Sequence, residues 1–207
     1  MAERKPLEEL TIMDDYMFYA VMKREDLLKP LLETILGIKI KKITYSEGQK
    51  TIKQAYDSKG VRLDVYVEDE NGRTFDIEVQ ASNQYNLPLR SRFYLDVIDV
   101  AALEPGYDYN DLGETYVIFI TAFDPKNKGH YLYWFENRDK YDHEILLDDK
   151  AHKVFVNVAG TNGVMPKGMK GIIEYFRTGK AKTKYTKAID EEVRRVKQDE
   201  ERKAEYM

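Results

Sequence analysis

Hydrophobic positions recur at helical spacing near the start of the chain. Asp15 to Met22 is followed by Asp26, a residue type suited to an N-cap, and then by Leu27, Leu28, Leu31, Leu32, Ile35 and Leu36 on one helical face. Pro30 is read as first-turn, where its missing amide is tolerated, and Gly37 as the stop. The pattern predicts helix over 13–36. From Ile38 it changes to alternation, Ile38-Lys39-Ile40-Lys41-Lys42-Ile43-Thr44-Tyr45, which predicts a strand with a basic outer face. Alternation returns in 61–69 and 73–81, joined by Glu70-Asn71-Gly72. Leu87–Leu103, with Pro88 in its first turn and Glu104-Pro105-Gly106 after it, predicts a second long helix. The apolar run Tyr116–Phe123 predicts a strand buried on both faces, with aromatic His130–Phe135 as its partner. Then come a short helix around Gly171–Arg177, a basic link Lys180–Lys187, and a charged helix from Ile189 onward. The thin stripe Ile189, Val193, Val196 leaves that helix to pack weakly, dock on a partner or project. The order is α-β-β-β-α-β-β with a helical tail.

The two middle segments carry the chemistry. Leu63, Val65 and Val67 share one face of the first, and Phe75, Ile77 and Val79 one face of the second. A two-residue Asn71-Gly72 loop would set one apolar face against the other strand's polar face, a one-residue slip. A three-residue loop with Gly72 left-handed pairs 69 with 73 and aligns both apolar sets. It also sets Asp64 opposite Glu78, Arg62 opposite Gln80 and Tyr66 opposite Asp76. Directly opposed carboxylates, with Cβ atoms ~5 Å apart, need compensation. A divalent cation supplies it: two carboxylates and a neighbouring carbonyl or amide oxygen suit Mg²⁺, with water and substrate phosphate filling the octahedron. The chemistry implied is phosphodiester hydrolysis. The plainer reading has Asp64, Asp76 and Glu78 lining a solvated face of the hairpin, and spacing alone leaves both open.

Length and composition narrow the class. The chain of 207 residues, 43% apolar and 34% charged, suits one well-packed core with at most a small appendage. It has no cysteine, which excludes disulfides, thiolate zinc and a cysteine nucleophile, and fits a cytoplasmic protein. The first residues contain no apolar stretch suited to a signal peptide or a membrane span, so no membrane partner is expected. A net charge of −4 argues against non-specific coating of nucleic acid, so any DNA site must be a local patch. His130, His143 and His152 lack zinc-site or HNH spacing, and no P-loop, Rossmann fingerprint or Gly-x-Ser-x-Gly elbow is present.

Asp64, a hairpin, and Glu78-Val79-Gln80 resemble the signature of the PD-(D/E)XK nucleases, with Gln80 where most of that superfamily has Lys. The recombination-promoting nuclease/putative transposase family is similar in having Glu-x-Gln here. Met13-Asp14-Asp15-Tyr16-Met17-Phe18, Arg62-Leu63-Asp64-Val65, Arg90-Ser91-Arg92-Phe93-Tyr94 and Val154-Phe155-Val156-Asn157 also look like that family, over most of 11–160 with a weaker echo in the closing helix. The resemblance implies an α/β, restriction-endonuclease-like mixed central sheet flanked by helices, with a nuclease-like domain over 1–160 and a helical extension over 161–207. It implies Mg²⁺-dependent endonucleolytic cleavage of DNA, Mn²⁺ being an alternative ion, by a metal-activated water. Asp64 and Glu78 would hold the ion and Gln80 would orient the water or scissile phosphate, without the charge a Lys gives. Arg90 or Arg92 could restore that charge. They lie ~200° apart on a helix, and Arg90 is preferred because Tyr94 and Val97 continue its side. A first-helix acid often completes such a site. Of Asp15, Asp26 and Glu33 the choice is Asp15, since Asp26 has a capping role.

Lys39, Lys41 and Lys42, with Lys50 and Lys53 beyond, read either as phosphate contacts or as a solvated edge. Lys180–Lys187 reads as a DNA-gripping arm or a plain linker. The alternative function is a nuclease-fold protein without cleavage, acting as a DNA-binding or assembly module. Homo-oligomerisation through the closing helix is compatible with either.

Overall fold

The computed structural model describes residues 5–45, 51–52, 61–103, 106 and 108–206. A 3-10 turn, Leu7–Glu9, leads into helices α1 (Asp15–Met22) and α2 (Glu25–Leu36). The single helix expected over 13–36 is therefore broken, at Lys23-Arg24. Arg24 is extended and is the N-cap residue of α2, so Asp26 is not the cap. It sits in the first turn, where its carboxylate takes the Arg24 guanidinium at 2.6 Å and complements the helix dipole. Pro30 is the sixth residue of α2, past the first turn. Gly37 ends the helix at φ 69°, as expected.

The alternating segment after Gly37 forms a strand only at β1 (Ile43–Tyr45). Carboxylates take the amides that a sheet partner would otherwise satisfy. The Ile40 amide donates to Glu33, those of Lys41 and Lys42 to Glu70, and that of Ile43 to Glu25. Lys39, Lys41 and Lys42 are exposed along this irregular stretch; Lys50 and Lys53 lie outside the described residues.

The main sheet adds β4 (Val65–Asp69), β5 (Thr74–Gln80), β6 (Thr115–Thr121), β7 (Leu132–Phe135) and β8 (Ala151–Asn157). Among the described residues its order is β1-β4-β5-β6-β8-β7, and β2 (Thr51–Ile52) and β3 (Val61–Arg62) form a separate pair. Strands β5, β6 and β8 run parallel, while β1, β4 and β7 are antiparallel to their neighbours. The pattern reading lacked β8 and paired β6 with β7. In the structure β8 lies between them, and β7 pairs antiparallel with β8. Burial explains the order: β6 is buried at all seven positions and needs a strand on each side, whereas β7 exposes Trp134 and Phe135 and suits an edge.

Helix α3 (Leu87–Ala102) makes the crossover from β5 to parallel β6. Its Leu95, Val97 and Ile98 pack on one sheet face with Leu63, Val117, Phe119 and Phe155. The other face, with Val65, Val67, Phe75, Ile77, Ile118 and Val154, lies under α1, α2, α4 (Met169–Thr178), α5 (Lys184–Gln198) and Tyr206 of α6 (Glu200–Tyr206). This is the expected mixed α/β, restriction-endonuclease-like architecture. No helix among the described residues is long and apolar enough to cross a membrane.

The closing helix starts earlier than its stripe suggested. The Thr183 hydroxyl accepts the Thr186 amide in a capping box, which draws the second half of the basic link into α5, and Asp199 separates α5 from α6. The stripe does not project. Ile189, Val193 and Val196 are buried in the core shared with α1 and α2, while Glu192 binds Arg24 at 2.7 Å and the Tyr185 hydroxyl donates to the Leu27 carbonyl. Ile189→Ala is therefore expected to destabilise the protein by ~2–5 kcal/mol, read as a lower urea midpoint with an unchanged slope; a loss within error would mean that α5 packs only loosely.

Candidate active site

The hairpin adopts the three-residue loop. Gly72 has φ 73°, the Asp69 amide donates to the Arg73 carbonyl, and Val65 pairs with Ile77, Tyr66 with Asp76 and Val67 with Phe75. The ladder stops there. Arg62 pairs with Thr51 of β2 instead of meeting Gln80, and Leu63 joins the cluster under α3 instead of lying beside Val79. The chain kinks at Leu63-Asp64, and the Asp64 amide donates to Glu78 Oε1 at 2.9 Å. A side-chain bond thus replaces the next rung and brings the two acids together.

The polar face of the hairpin is not solvated. Asp64 is only 9% exposed, Glu78 3% and Asp76 0%. From the first turn of α3, Arg90 reaches back to the end of β5. One guanidinium nitrogen donates to Gln80 Oε1; the other donates to the Tyr94 hydroxyl at 3.0 Å and lies 3.4 Å from Glu78 Oε2. The group also lies over the Phe119 ring, 5.1 Å from its centroid. The i,i+4 spacing of Arg90 and Tyr94 makes this clamp possible, and Arg92 is exposed on another side.

A cavity of about 480 Å³ opens over these groups, lined by Asp15, Asp64, Glu78, Arg90, Tyr94 and Tyr206 among others. It lies where β5 ends, the end of a parallel sheet at which α/β folds place their ligands. Asp15, the first residue of α1, lines it. Asp14 also lines it, but its carboxylate is engaged by the Thr11 amide and hydroxyl and by Lys5. Asp26 and Glu33 are held elsewhere, by Arg24 and by the Ile40 amide. Asp64, Glu78, Arg90 and Asp15 thus share one cavity, with Gln80 tied to it through Arg90.

The site is short of positive charge. Burial, then the nearby Asp76, and lastly Asp15 push the Glu78 carboxyl well above its ordinary range, against the Asp64 amide and Arg90. Burial, then Asp64, does the same to Asp76. Sequence reasoning gave Asp76 no role beyond the polar face, although neither of its buried oxygens has a hydrogen-bond partner among the described residues. Its place between Phe75 and Ile77 marks the face it lies on, but only the tertiary structure makes it buried.

A divalent ion suits this donor set. The oxygens are hard, the clustered acids outnumber Arg90, and a buried carboxylate is left unsatisfied. Among the described residues no group of three or more His, Cys, Asp or Glu is arranged to hold a metal by itself. Two carboxylates with water and phosphate completing the shell is the arrangement that remains, and Mg²⁺ accepts it.

The sequence model of the PD-(D/E)XK nuclease family transposases matches residues 12–167. The chain belongs to this family. The match takes in α1, the hairpin, α3 and the parallel strands, every element that positions the cavity apart from the first described residues and α6. No curated protein and no solved structure matches the chain. Membership supports a nuclease or mobile-element role acting on DNA, and PD-(D/E)XK nucleases generally use divalent metal ions.

The raised Asp76 value has a signed consequence. Between the ordinary Asp value, ~3.9, and its raised folded value, the folded state holds a proton that the unfolded chain has lost, so metal-free stability falls as pH rises through that window. Each unit of elevation costs ~1.4 kcal/mol at the alkaline end. Asp76→Asn is expected to flatten this decline and raise the unfolding temperature at pH 8 in EDTA, as read by thermal melts from pH 5 to 9; parallel pH profiles for the two proteins would show that Asp76 does not carry the effect.

Proposed function

We propose that this protein is a metal-dependent DNA endonuclease that hydrolyses phosphodiester bonds, with Mg²⁺ as its ion and Mn²⁺ as a substitute, in recombination or the movement of mobile elements. The observation that carries the reading is the buried Glu78 carboxylate, shared between the Asp64 amide and Arg90 in a cavity that Asp64 and Asp15 also line. In this reading residues 1–160 are the nuclease domain and 161–207 a helical extension packed into the same core.

Asp64 and Glu78 would hold the ion, with Asp15 of α1, on the wall of the same cavity, adding negative charge near Glu78 without being a third direct ligand. Such an ion, when bound, stabilises charge on a phosphoryl oxygen and lowers the pKa of a water. Glu78 holds its proton more tightly than an ordinary glutamate, so an ion bound there would compete with that proton and bind more weakly as pH falls. Arg90 supplies the fixed positive charge that neutral Gln80 cannot. A guanidinium offers hydrogen-bond donors and no acceptor, so its part is to stabilise charge on the phosphate. The Gln80 amide oxygen is engaged by Arg90, which favours a role in holding that guanidinium over one in orienting water.

A second reading draws on the same contact. The Arg90–Glu78 ion pair sets a cation against an acid needed for the metal, as in a nuclease fold kept for DNA binding or assembly without cleavage. Supercoiled plasmid separates the two: nicking or linearisation that requires Mg²⁺, stops in EDTA and disappears in Asp64→Ala supports the endonuclease, whereas DNA retarded on a gel but uncut in any metal supports the binding module. In the active protein, Arg90→Ala is expected to lower kcat by ~10²–10³-fold, the scale of losing one preorganised charge-stabilising group. Gln80→Leu should lower it less. Equal losses from the two variants would instead give Gln80 a direct part in the chemistry.

A further inference from the structure

The acid cavity does not end at α1. Leu10 and Met13 form part of its wall and also part of a second depression, lined by Ala122 just past β6, Val158 just past β8, Arg177 and Lys197 as well. Gly179 and Asp190 continue that depression into a third, lined by Lys187, Glu191 and Arg194. The three share walls in sequence. They lie in a row along the carboxyl ends of β5, β6 and β8, from the acid cluster to the corner between α4 and α5, a groove interrupted where buried Leu10 and Met13 stand between the first two.

Charge changes sign along this groove. At the far end Arg177, Lys187, Arg194 and Lys197 stand against Asp190 and Glu191, and Asp190 is neutralised by Arg194 at 2.6 Å. No described carboxylate lies within ion-pair distance of Arg177, Lys187 or Lys197. Arg177 and Lys187 are exposed and Lys197 half-buried, so their charges face the groove or solvent. Gly179, left-handed at φ 70°, ends α4 here and turns the chain so that Arg177 and the start of α5 flank the same space.

We propose that this groove is the track of the DNA strand leaving the acid cavity, with Arg177 and Lys197 docking phosphates beyond the scissile one and Lys187 the next along. The inference rests on the nuclease reading and adds where the substrate lies. Phosphate contacts fix register without reading sequence, and a protein with a net charge of −4 needs such a local patch. The rival surface, Lys41 and Lys42, precedes β1, whose Ile43 pairs with Asp69 beside the hairpin loop, at the opposite end of β5 from the cavity.

The test is binding of a fluorescein-labelled DNA duplex by the full chain, followed by anisotropy over a salt series with Ca²⁺ replacing Mg²⁺. Arg177→Ala with Lys197→Ala is expected to weaken binding ~10-fold or more and to reduce the slope of log affinity against log salt by about two, one per phosphate contact. Lys41→Ala with Lys42→Ala should leave both readings unchanged. Thermal melts check folding, and Arg177→Gln with Lys197→Gln, which keeps much of the aliphatic stems, replaces the alanine pair if packing is disturbed. Unchanged affinity and slope in the groove variants, while the unmodified protein binds DNA, overturns the track and leaves the nuclease reading standing. Absence of DNA binding by the unmodified protein overturns both.

Discussion

The bond from the Asp64 amide to the Glu78 carboxylate is the constraint around which the site is arranged. If β4 had continued its ladder past Val65, Leu63 would lie beside Val79 and the two acids would be an ordinary cross-strand pair. Instead the chain kinks, Leu63 fills the cluster under α3, and Asp64 offers Glu78 its backbone hydrogen. A buried carboxylate without such donors carries the full cost of leaving water, several kcal/mol; the amide on one oxygen and Arg90 near the other offset part of that cost.

Helix α3 has two parts in this balance. Its apolar side packs on Leu63 and on Val117, Phe119 and Phe155 of the neighbouring strands, and its first turn delivers Arg90 to the acids at the end of β5. Tyr94 one turn later and Phe119 beneath hold the guanidinium. Asp76 receives no hydrogen bond from the described residues. The site is left with more negative charge than it can compensate, as suits one that takes a divalent ion. A nuclease fold that lacks the usual Lys at position 80 thereby keeps a fixed cation within reach of its acids, supplied by a helix in place of the strand.

Both ends of the described chain meet at the cavity rim. The Tyr206 hydroxyl donates to the Lys5 carbonyl at 2.7 Å, the Tyr16 hydroxyl donates to the Arg202 carbonyl, and the rings of Tyr16 and Tyr206 lie 4.8 Å apart. The helical extension is therefore continuous with the body: α5 fills the space beside α1 and α2, and α6 brings Tyr206 to the wall of the acid pocket.

Local order was legible wherever it depends on neighbours in sequence. Period-two alternation with Gly72 determined the hairpin register, because a slip of one residue would bury the wrong face. The 3.6-residue period determined α3 and put Arg90, not Arg92, on the side of Tyr94 and Glu78. Asp64, Glu78 and Asp15 could be named as candidates from residue type and resemblance. The rest depended on partners remote in the chain. Ile38–Lys42 alternates like a strand but stays irregular because Glu33 and Glu70 take its amides. Strand β8 enters between β6 and β7 because a fully buried strand needs two neighbours. The stripe on α5 is covered by helices more than a hundred residues earlier. Asp76 looks like any polar residue on a hairpin until tertiary packing buries it. Alternation tells which face a side chain is on; whether that face meets water or another layer is decided by tertiary packing, and with it the desolvation that these acids bear.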